Sequence, residues 1–378
     1  MGIGFPTKAN WSAGDLLTSA QMDDLAGTLN TLSPVGQANG STLVANSANA
    51  SGLGWNGNYA AGKNAIINGA FNVWQRGTSF TPSGETYVAD RFYVNRDGTG
   101  TACTVSQQTF TAGTAPVSGY EGTYFLRYNQ TNAGTSQTYA VLGQRIEDVR
   151  TFAGQTITVS FWAKAASGYT MNNVQVSQSF GSGGSTAVTT SGSSPVITTS
   201  WARYSISITL PSIAGKTIGS GNYLAVYLYL PANTIFTVDF WGVQLEAGST
   251  VTNFQTATGT LQGELAACQR YYWRSTGQEV FGRIAGQGIA VSTTSILFAP
   301  VLPVTMRTYP QSLDYSNLCV YDGVNAVNAI SSAAIQSGSG SLNSTSLNLT
   351  TTGATQYRPY FFATNNNTAG YVGFSAEL

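Results

Sequence analysis

The sequence predicts a mainly β protein, in which an antiparallel sandwich precedes a smaller β domain. Apolar and polar residues alternate along several stretches of about eight residues, and Gly, Ser and Pro separate these stretches. Glycine supplies 43 of the 378 residues, and together with Ser, Thr and Asn it favours turns and strands over long helices. Hydrophobic residues make up 42% of the chain, which is enough to bury a sizeable core.

Residues 1–62 form a separate region that begins with a short predicted helix. Thr18 and Gln21 fit a capping box, and the apolar residues after them recur every three or four positions until Pro34. This apolar stripe consists of Met22, Leu25, Leu29 and Leu32. Because one short helix is marginal in water, we expect the stripe to pack on a neighbouring domain or on copies of itself around a threefold axis. Residues 35–62, rich in Gly, Ser, Asn and Ala, are predicted to be a connector.

Residues 63–258 carry the alternating pattern of the sandwich. The clearest predicted strands are 156–164, 203–210, 223–230 and 235–243. In the third of these, Leu and Val occupy one face and Tyr the other. Strands separated only by turn residues indicate an antiparallel sandwich and not parallel βαβ units.

Residues 259–378 are predicted to contain a connecting helix and a C-terminal β domain. Apolar and aromatic residues at helical spacing predict an amphipathic helix over 260–274. They are Leu261, Leu265, Cys268, Tyr271 and Tyr272. Short strands follow, among them 295–301 and 370–374, so this part is expected to form a second, smaller sheet structure.

Composition excludes several classes of function. The chain has no histidine, which removes Ser-His-Asp and Cys-His catalysis and histidine-ligated zinc. Lys plus Arg number 16 and Asp plus Glu also 16, whereas nucleic-acid-binding surfaces are strongly basic. Cys103, Cys268 and Cys319 lie far apart and are predicted to be buried thiols, not a disulfide framework or metal site. No apolar run is long enough to span a membrane, and we expect no cofactor.

Several segments in the middle of the chain resemble one known family. They are residues 64–80, 87–93, 160–165, 244–248 and 264–272. In their order and spacing they are similar to the jelly-roll, carbohydrate-binding-like domains found in tail fibre and appendage proteins of tailed bacteriophages. Residues 11–18 are similar to the beginnings of phage fibre proteins, where the N-terminus attaches to the virion. The resemblance implies a jelly-roll topology for the predicted sandwich.

The resemblance also implies a role in the virion. It points to a homotrimeric tail fibre or receptor-binding protein, assembled in the host cytoplasm. The N-terminal region would dock to a tail, baseplate, neck or capsid protein, and the distal domains would adhere to a host surface glycan without catalysis. Two alternatives stay open. The first is a purely structural neck, head-fibre or baseplate spacer, and the second is a glycan-cleaving depolymerase.

The candidate ligand-binding residues are aromatic and carboxylate side chains. They are Trp162, Tyr227, Tyr229, Asp239 and Trp241 in the sandwich, and Tyr315, Tyr357 and Tyr360 beyond it. Aromatic faces and adaptable hydrogen-bonding groups are typical of binding surfaces. For the sandwich aromatics, three interpretations are open: contact with a glycan, burial against another subunit, or packing beneath a loop or the other sheet.

Rare charged residues give two further hypotheses. Either Asp90 or Arg91 binds a ligand hydroxyl, or these rare charges, with Arg76, form an ion pair that pins the opening segment across the sandwich. The carboxylates of Glu147, Asp148, Asp239 and Glu246 suit glycoside cleavage by residue type alone. No internal repeat indicates a depolymerase-like β-helix, so we expect no enzyme activity.

Overall fold

The computed structural model describes residues 42–45, 53–56, 63–117, 120–324, 327–336 and 338–378. The apolar stripe Met22, Leu25, Leu29 and Leu32 lies outside these residues. Within the predicted connector, strands β1 (Thr42–Ala45) and β2 (Leu53–Asn56) pair antiparallel as a two-stranded sheet. This part of the chain therefore contains regular structure that its Gly- and Asn-rich composition did not predict.

Fourteen further strands build the sandwich region. They are β3 (Ser79–Phe80), β4 (Thr86–Tyr87), β5 (Phe92–Arg96), β6 (Ala102–Thr109), β7 (Tyr124–Asn132), β8 (Ala140–Glu147), β9 (Thr156–Ala165), β10 (Tyr169–Thr170), β11 (Asn173–Ser179), β12 (Val188–Ser191), β13 (Val196–Ile197), β14 (Ala202–Thr209), β15 (Tyr223–Leu230) and β16 (Phe236–Ala247). Sheet 1 has the order β12-β11-β15-β8-β5-β4, and sheet 2 the order β14-β9-β16-β7-β6-β3. All neighbours in both sheets are antiparallel, which confirms the predicted jelly-roll sandwich.

The alternating residues explain how the two sheets pack. Val159 and Phe161 of sheet 2 and Val226 and Leu228 of sheet 1 point into one shared apolar core. Their sequence neighbours therefore point to the outer faces, because successive side chains of a strand alternate between the two faces of the sheet. The outer faces carry most of the candidate residues.

One helix, α1 (Leu261–Gln269), lies between the two β regions in the described part of the chain. Thr260 caps it by accepting a hydrogen bond from the Gly263 amide, at 3.0 Å. The predicted continuation to residue 274 is wrong, because a strand begins at Tyr272. The predicted apolar stripe is also wrong in part, since Leu261 and Leu265 are exposed.

Glu264 is the helix residue that turns inward, together with Cys268. Its carboxylate accepts hydrogen bonds from the backbone amides of Asn68 at 2.7 Å and Thr258 at 2.8 Å. Backbone donors that otherwise lack partners thus determine which face of the helix is buried. Helical periodicity alone favoured the apolar face.

Ten strands form the C-terminal region. They are β17 (Tyr272–Thr276), β18 (Arg283–Ala290), β19 (Ser295–Phe298), β20 (Ser312–Ser316), β21 (Leu318–Tyr321), β22 (Val327–Ala329), β23 (Ser332–Ile335), β24 (Leu347–Thr350), β25 (Pro359–Thr364) and β26 (Tyr371–Ser375). They make a three-stranded sheet, β17-β26-β20, and a seven-stranded sheet, β22-β21-β25-β18-β19-β24-β23. A second core of buried residues, including Phe298, Phe362 and Phe374, lies here and is separate from the sandwich core. The domain boundaries themselves stay a prediction.

The opening segment of the sandwich contacts the C-terminal region through charged groups. Arg91 is buried and forms an ion pair with Glu377, which also pairs with Arg76 at 3.2 Å. Arg76 lies 3.8 Å from the buried Asp90. The expectation of an ion pair across the sandwich is therefore corrected, because the chief partner of Arg91 comes from residues near the other end of the sequence. Cys103, Cys268 and Cys319 are free and buried, as predicted.

Candidate functional site

A row of side chains crosses the outer face of sheet 1 from edge to edge. The strand registers align Ser191, Gln175, Tyr227, Gly143, Tyr93 and Tyr87, one from each strand in turn. Tyr229 lies two residues further along β15, on the same face and opposite Asn173 of β11. We call this surface, with Tyr227 and Tyr229 at its centre, the tyrosine face.

Tyr227 and Tyr229 are half-buried, while their neighbours Val226, Leu228 and Leu230 are in the core. The two rings are 6.0 Å apart between centroids and inclined by 71°. The structure thus places both predicted tyrosines on the outside of the sandwich, next to each other and accessible in part.

Gly143 leaves room for the tyrosine rings. A Cβ atom at this position would lie 3.0 Å from the Tyr93 ring and 3.1 Å from the Tyr227 ring. The missing side chain therefore lets the two tyrosines approach each other over the backbone of β8. The two rings thus close over Gly143, which is buried, as is Tyr93, and the half-buried Tyr227 and Tyr229 are the rings that reach the surface.

Polar groups surround these rings. The guanidinium of Arg145 lies 4.6 Å from the centre of the Tyr93 ring, and Glu85 binds it through two hydrogen bonds of 2.6 and 3.0 Å. Burial raises the pKa of the Tyr227 hydroxyl, which interacts with the hydroxyl of Tyr93. Asn173 adds a half-buried side-chain amide, whose Oδ1 is itself buried without a hydrogen-bond partner.

The outer face of sheet 2 is covered where two of the predicted residues lie. Trp162 and Trp241 face each other across β9 and β16 and pack with Phe254, Tyr120 and Phe110, which come from the flanking loops. Trp241 is fully buried. The prediction that these tryptophans contact a ligand is therefore wrong, because the loops remove their faces from solvent.

The prediction that Asp239 contacts a ligand is also wrong. Its side chain is buried, and Arg127 binds both carboxylate oxygens, at 2.7 and 2.9 Å. Lys164 lies 3.7 Å away on the next strand. A carboxylate held by two cations is not free to accept a ligand hydroxyl, so Asp239 organises this face of sheet 2.

Next to Lys164 lies an aromatic pocket of about 200 Å³ that the sequence did not predict. Phe125 and Trp201 supply its rings, Lys164 its charge, and Thr109 a hydroxyl at its edge. Lys164 lies 5.2 Å from the Trp201 ring centre. The alternation along β7 and β9 places Phe125 and Lys164 on the outer face, but Trp201 precedes β14 and lies outside any periodic pattern.

The three tyrosines predicted in the C-terminal region lie in different environments. Tyr360 is buried in the second core, so its prediction as a ligand contact is wrong, and its hydroxyl accepts a hydrogen bond from the Thr355 amide at 2.9 Å. Tyr315 is half-buried and packs against the same core. Tyr357 is 74% exposed. Tyr357 lies in the turn before β25 and Tyr360 on the strand itself, a difference in burial that residue type alone could not show.

The carboxylates considered for catalysis form ion pairs. Glu147 binds Arg270 through two hydrogen bonds of 2.9 Å, Asp148 pairs with its neighbour Arg150, and Glu246 is buried 3.3 Å from Lys63. Among the described residues, no three His, Cys, Asp or Glu side chains are grouped so that they could hold a metal ion. No helix in the same part of the chain is long and apolar enough to cross a membrane.

Comparisons with known proteins give matches to structures alone. No family profile and no curated protein sequence matches the chain. A putative sugar binding protein from Bacteroides thetaiotaomicron is similar over 49% of this chain and 100% of its own, with 13% identity and a TM-score of 0.32. A family 11 carbohydrate-binding module from Clostridium thermocellum, in complex with a mixed-linked tetrasaccharide, is similar over 47% and 98%, with 12% identity and a TM-score of 0.28. The enzymatically active domain of tailspike protein 4 from bacteriophage CBA120 is similar over 49% of this chain but 22% of its own, with 13% identity and a TM-score of 0.29.

Proposed function

We propose that the sandwich binds an oligosaccharide on the tyrosine face and that the chain acts as a non-catalytic adhesion protein. The observation that carries this proposal is the pair Tyr227 and Tyr229, half-buried side by side on the outer face of sheet 1. Half-buried rings are held rigid by their neighbours but still offer a flat surface. A sugar ring can lay its C–H groups on such a surface without ordering a flexible side chain.

The polar groups of the tyrosine face suit sugar hydroxyls. Gln175 and Asn173 lie opposite Tyr227 and Tyr229 on β11. The amide of Gln175 can donate and accept hydrogen bonds, and Asn173 can donate from Nδ2. Few charges are present, since Glu85 already engages the guanidinium of Arg145. A neutral, hydroxyl-rich ligand therefore matches this surface better than a strongly ionic one.

The proposed setting is the surface of a bacteriophage virion. This part of the proposal rests on the resemblance of residues 64–80 and 244–248 to phage appendage proteins, and on the predicted apolar stripe of the N-terminal helix. A homotrimer would present three tyrosine faces to one host cell. Weak individual sites then give strong attachment, because binding of the second and third faces becomes intramolecular. Native mass spectrometry of the full chain should show a trimer, and a monomer alone would contradict this arrangement.

A glycan array tests the binding function. The parent chain should retain a defined set of host-type saccharides, and Tyr227→Ala and Tyr229→Ala should each lose them. Tyr309→Ala is the matched control, because this tyrosine is exposed, lies in the C-terminal region and is not a candidate ligand-binding residue. A parent chain that binds no saccharide, yet assembles on a purified neck or capsid protein, would favour the alternative of a structural spacer. Shortening of a host polysaccharide during incubation would show a depolymerase instead.

A further inference from the structure

A second cavity lies at the junction between the sandwich and the C-terminal region. Its volume is about 270 Å³, and both regions contribute to its walls. Arg76 and Tyr87 come from the opening segment of the sandwich, while Tyr272, Ser312, Asp314 and Ser375 come from the three-stranded sheet. None of these residues belongs to the tyrosine face except Tyr87, whose position at the edge of sheet 1 brings it to the junction. We call this cavity the junction pocket.

Two aromatic rings position the guanidinium of Arg76 in the wall of the junction pocket. The guanidinium of Arg76 lies 3.5 Å from the centre of the Tyr272 ring and 5.1 Å from that of Tyr87. Glu377 binds its Nη2 at 3.2 Å, and the buried Nη1 lies 3.8 Å from Asp90 Oδ1 without a hydrogen-bond partner. The guanidinium is therefore held by two carboxylates and two rings, and it supplies the positive charge of the pocket wall.

Asp314 places a carboxylate in the pocket wall, with a charge opposite to that of Arg76. Both oxygens of Asp314 lie within hydrogen-bond distance of the Tyr272 hydroxyl, at 2.8 and 3.1 Å. In the described part of the chain, Asp314 forms no ion pair with a Lys or Arg side chain. One hydroxyl donor uses only a fraction of the lone pairs on a carboxylate, so Asp314 can accept further hydrogen bonds.

Gly373 makes this arrangement possible. A Cβ atom at residue 373 would overlap Asp314 Oδ1 and the Tyr272 hydroxyl. The glycine on β26 therefore leaves the space in which the carboxylate and the phenol meet, between the neighbouring strands β17 and β20. The two groups are fixed in position before any ligand arrives, which lowers the ordering cost of binding.

We infer that the junction pocket binds a single neutral sugar ring. Asp314 would accept hydrogen bonds from two adjacent ring hydroxyls, and the half-buried ring of Tyr87 would contact the apolar edge. The ring of Tyr272 is buried beneath Arg76, and its hydroxyl holds Asp314 in place. The pocket is smaller than the roughly 300–1,000 Å³ of pockets for drug-sized ligands, so one ring fits and an oligosaccharide does not. Domain junctions are common places for such sites. This site is separate from the tyrosine face and does not depend on the function proposed for it.

Saturation-transfer NMR on the full chain tests the inference. The probes are the methyl glycosides of glucose, galactose, mannose and N-acetylglucosamine. At least one should give saturable binding, and Asp314→Asn should weaken it at least about tenfold, since the amide keeps an acceptor for Tyr272 but removes the charge. Ser312 is exposed on β20, so Ser312→Trp should fill the pocket and abolish binding without entering the core.

Gln311→Trp is the matched control, because this exposed neighbour does not line the pocket. The inference is overturned if no probe saturates the parent chain, or if Ser312→Trp binds as tightly as Gln311→Trp. Tyr227→Ala separates the two sites. If this variant loses oligosaccharide binding but binds the methyl glycoside as the parent chain does, both sites are supported. If methyl glycoside binding is lost in Tyr227→Ala and kept in Ser312→Trp, the sugar binds on the tyrosine face and the inference is wrong.

Discussion

Arg91 and Glu377 form a buried ion pair between two residues that are 286 positions apart in the sequence. The guanidinium of Arg91 also lies 3.4 Å from the centre of the Tyr271 ring, and it donates a hydrogen bond to the Arg145 carbonyl oxygen. Sandwich, helix end and C-terminal residues therefore meet at one charged side chain. The sandwich and the region that follows it are joined by desolvated polar contacts as well as by the chain itself.

Removal of the Glu377 carboxylate should lower the stability of the fold strongly for this reason. Glu377→Ala would leave the buried Arg91 without its counter-charge, and we expect a loss of about 3–5 kcal/mol in the free energy of unfolding. The exposed pair of Asp148 and Arg150 provides the control, since Arg150→Ala should cost less than about 1 kcal/mol. Urea denaturation measures both. Equal stabilities for the two variants would contradict a supporting role for Glu377.

The buried carboxyl of Asp90 should make stability depend on pH. Burial raises its pKa from 3.8 to about 6, against the opposing effect of Arg76. The folded state therefore holds the proton more tightly than the unfolded state, so the contribution to stability is complete below pH 4 and is lost as the pH rises through 6. A shift of this size corresponds to about 3 kcal/mol.

Asp90→Asn removes this titration. The free energy of unfolding of the parent chain, relative to that of Asp90→Asn, should fall between pH 4 and pH 7. Denaturation at several pH values measures the difference. A difference that stays constant or rises over this interval would show that Asp90 is ionised and well paired in the folded state.

Trp241 should be important for stability and not for binding. Trp241→Ala removes a fully buried ring from the aromatic cluster and should cost about 3–5 kcal/mol. Trp241→Phe keeps an aromatic ring and removes the Nε1 donor, which has no hydrogen-bond partner. The Phe variant should therefore bind oligosaccharide as the parent chain does, as titration calorimetry can show. Loss of binding in a folded Trp241→Phe variant would show that Trp241 contributes to the ligand site.

Gly143→Val should damage the tyrosine face selectively. Its side chain would press on the rings of Tyr93 and Tyr227, which already lie at the contact limit for a single Cβ. We expect a loss of about 1–3 kcal/mol in stability from overpacking, together with weaker oligosaccharide binding. Comparing calorimetric affinity with thermal unfolding separates the two effects. A variant of parent-like affinity would show that the tyrosine face is not used.

Oligosaccharide binding should tolerate salt. The tyrosine face offers rings and amides, and Glu85 already engages Arg145. Affinity measured at about 50 mM and about 500 mM NaCl should change less than about threefold, because screening acts on charge–charge attraction. A steep decline with salt would instead indicate an anionic ligand, and it would favour the pocket around Lys164.

The sandwich strands were predictable because one face of each lies in the core. The pattern at 223–230 matches the bounds of β15. The strand predicted at 156–164 is one residue shorter than β9, and the one predicted at 203–210 is shifted by one residue from β14. Alternation reports which side of a strand faces the core. It also placed Tyr227 and Tyr229 correctly on the opposite side.

Alternation does not show what covers an outer face. Trp241 and Tyr227 both lie on outer faces, but loops carrying Phe110, Tyr120 and Phe254 cover the first and not the second. These loops have no period, and their positions depend on contacts between distant residues. The junction pocket could not be predicted from the sequence for the same reason, since Arg76 and Asp314 come together only when both regions have folded.

The central claim is that Tyr227 contributes directly to oligosaccharide binding. Titration calorimetry with a saccharide selected on the array, using the parent chain, Tyr227→Phe and Tyr227→Ala, tests it most directly. We predict an affinity within about threefold of the parent for Tyr227→Phe, which keeps the ring, and at least about tenfold weaker binding for Tyr227→Ala. A folded Tyr227→Ala that binds as tightly as the parent chain would contradict the account.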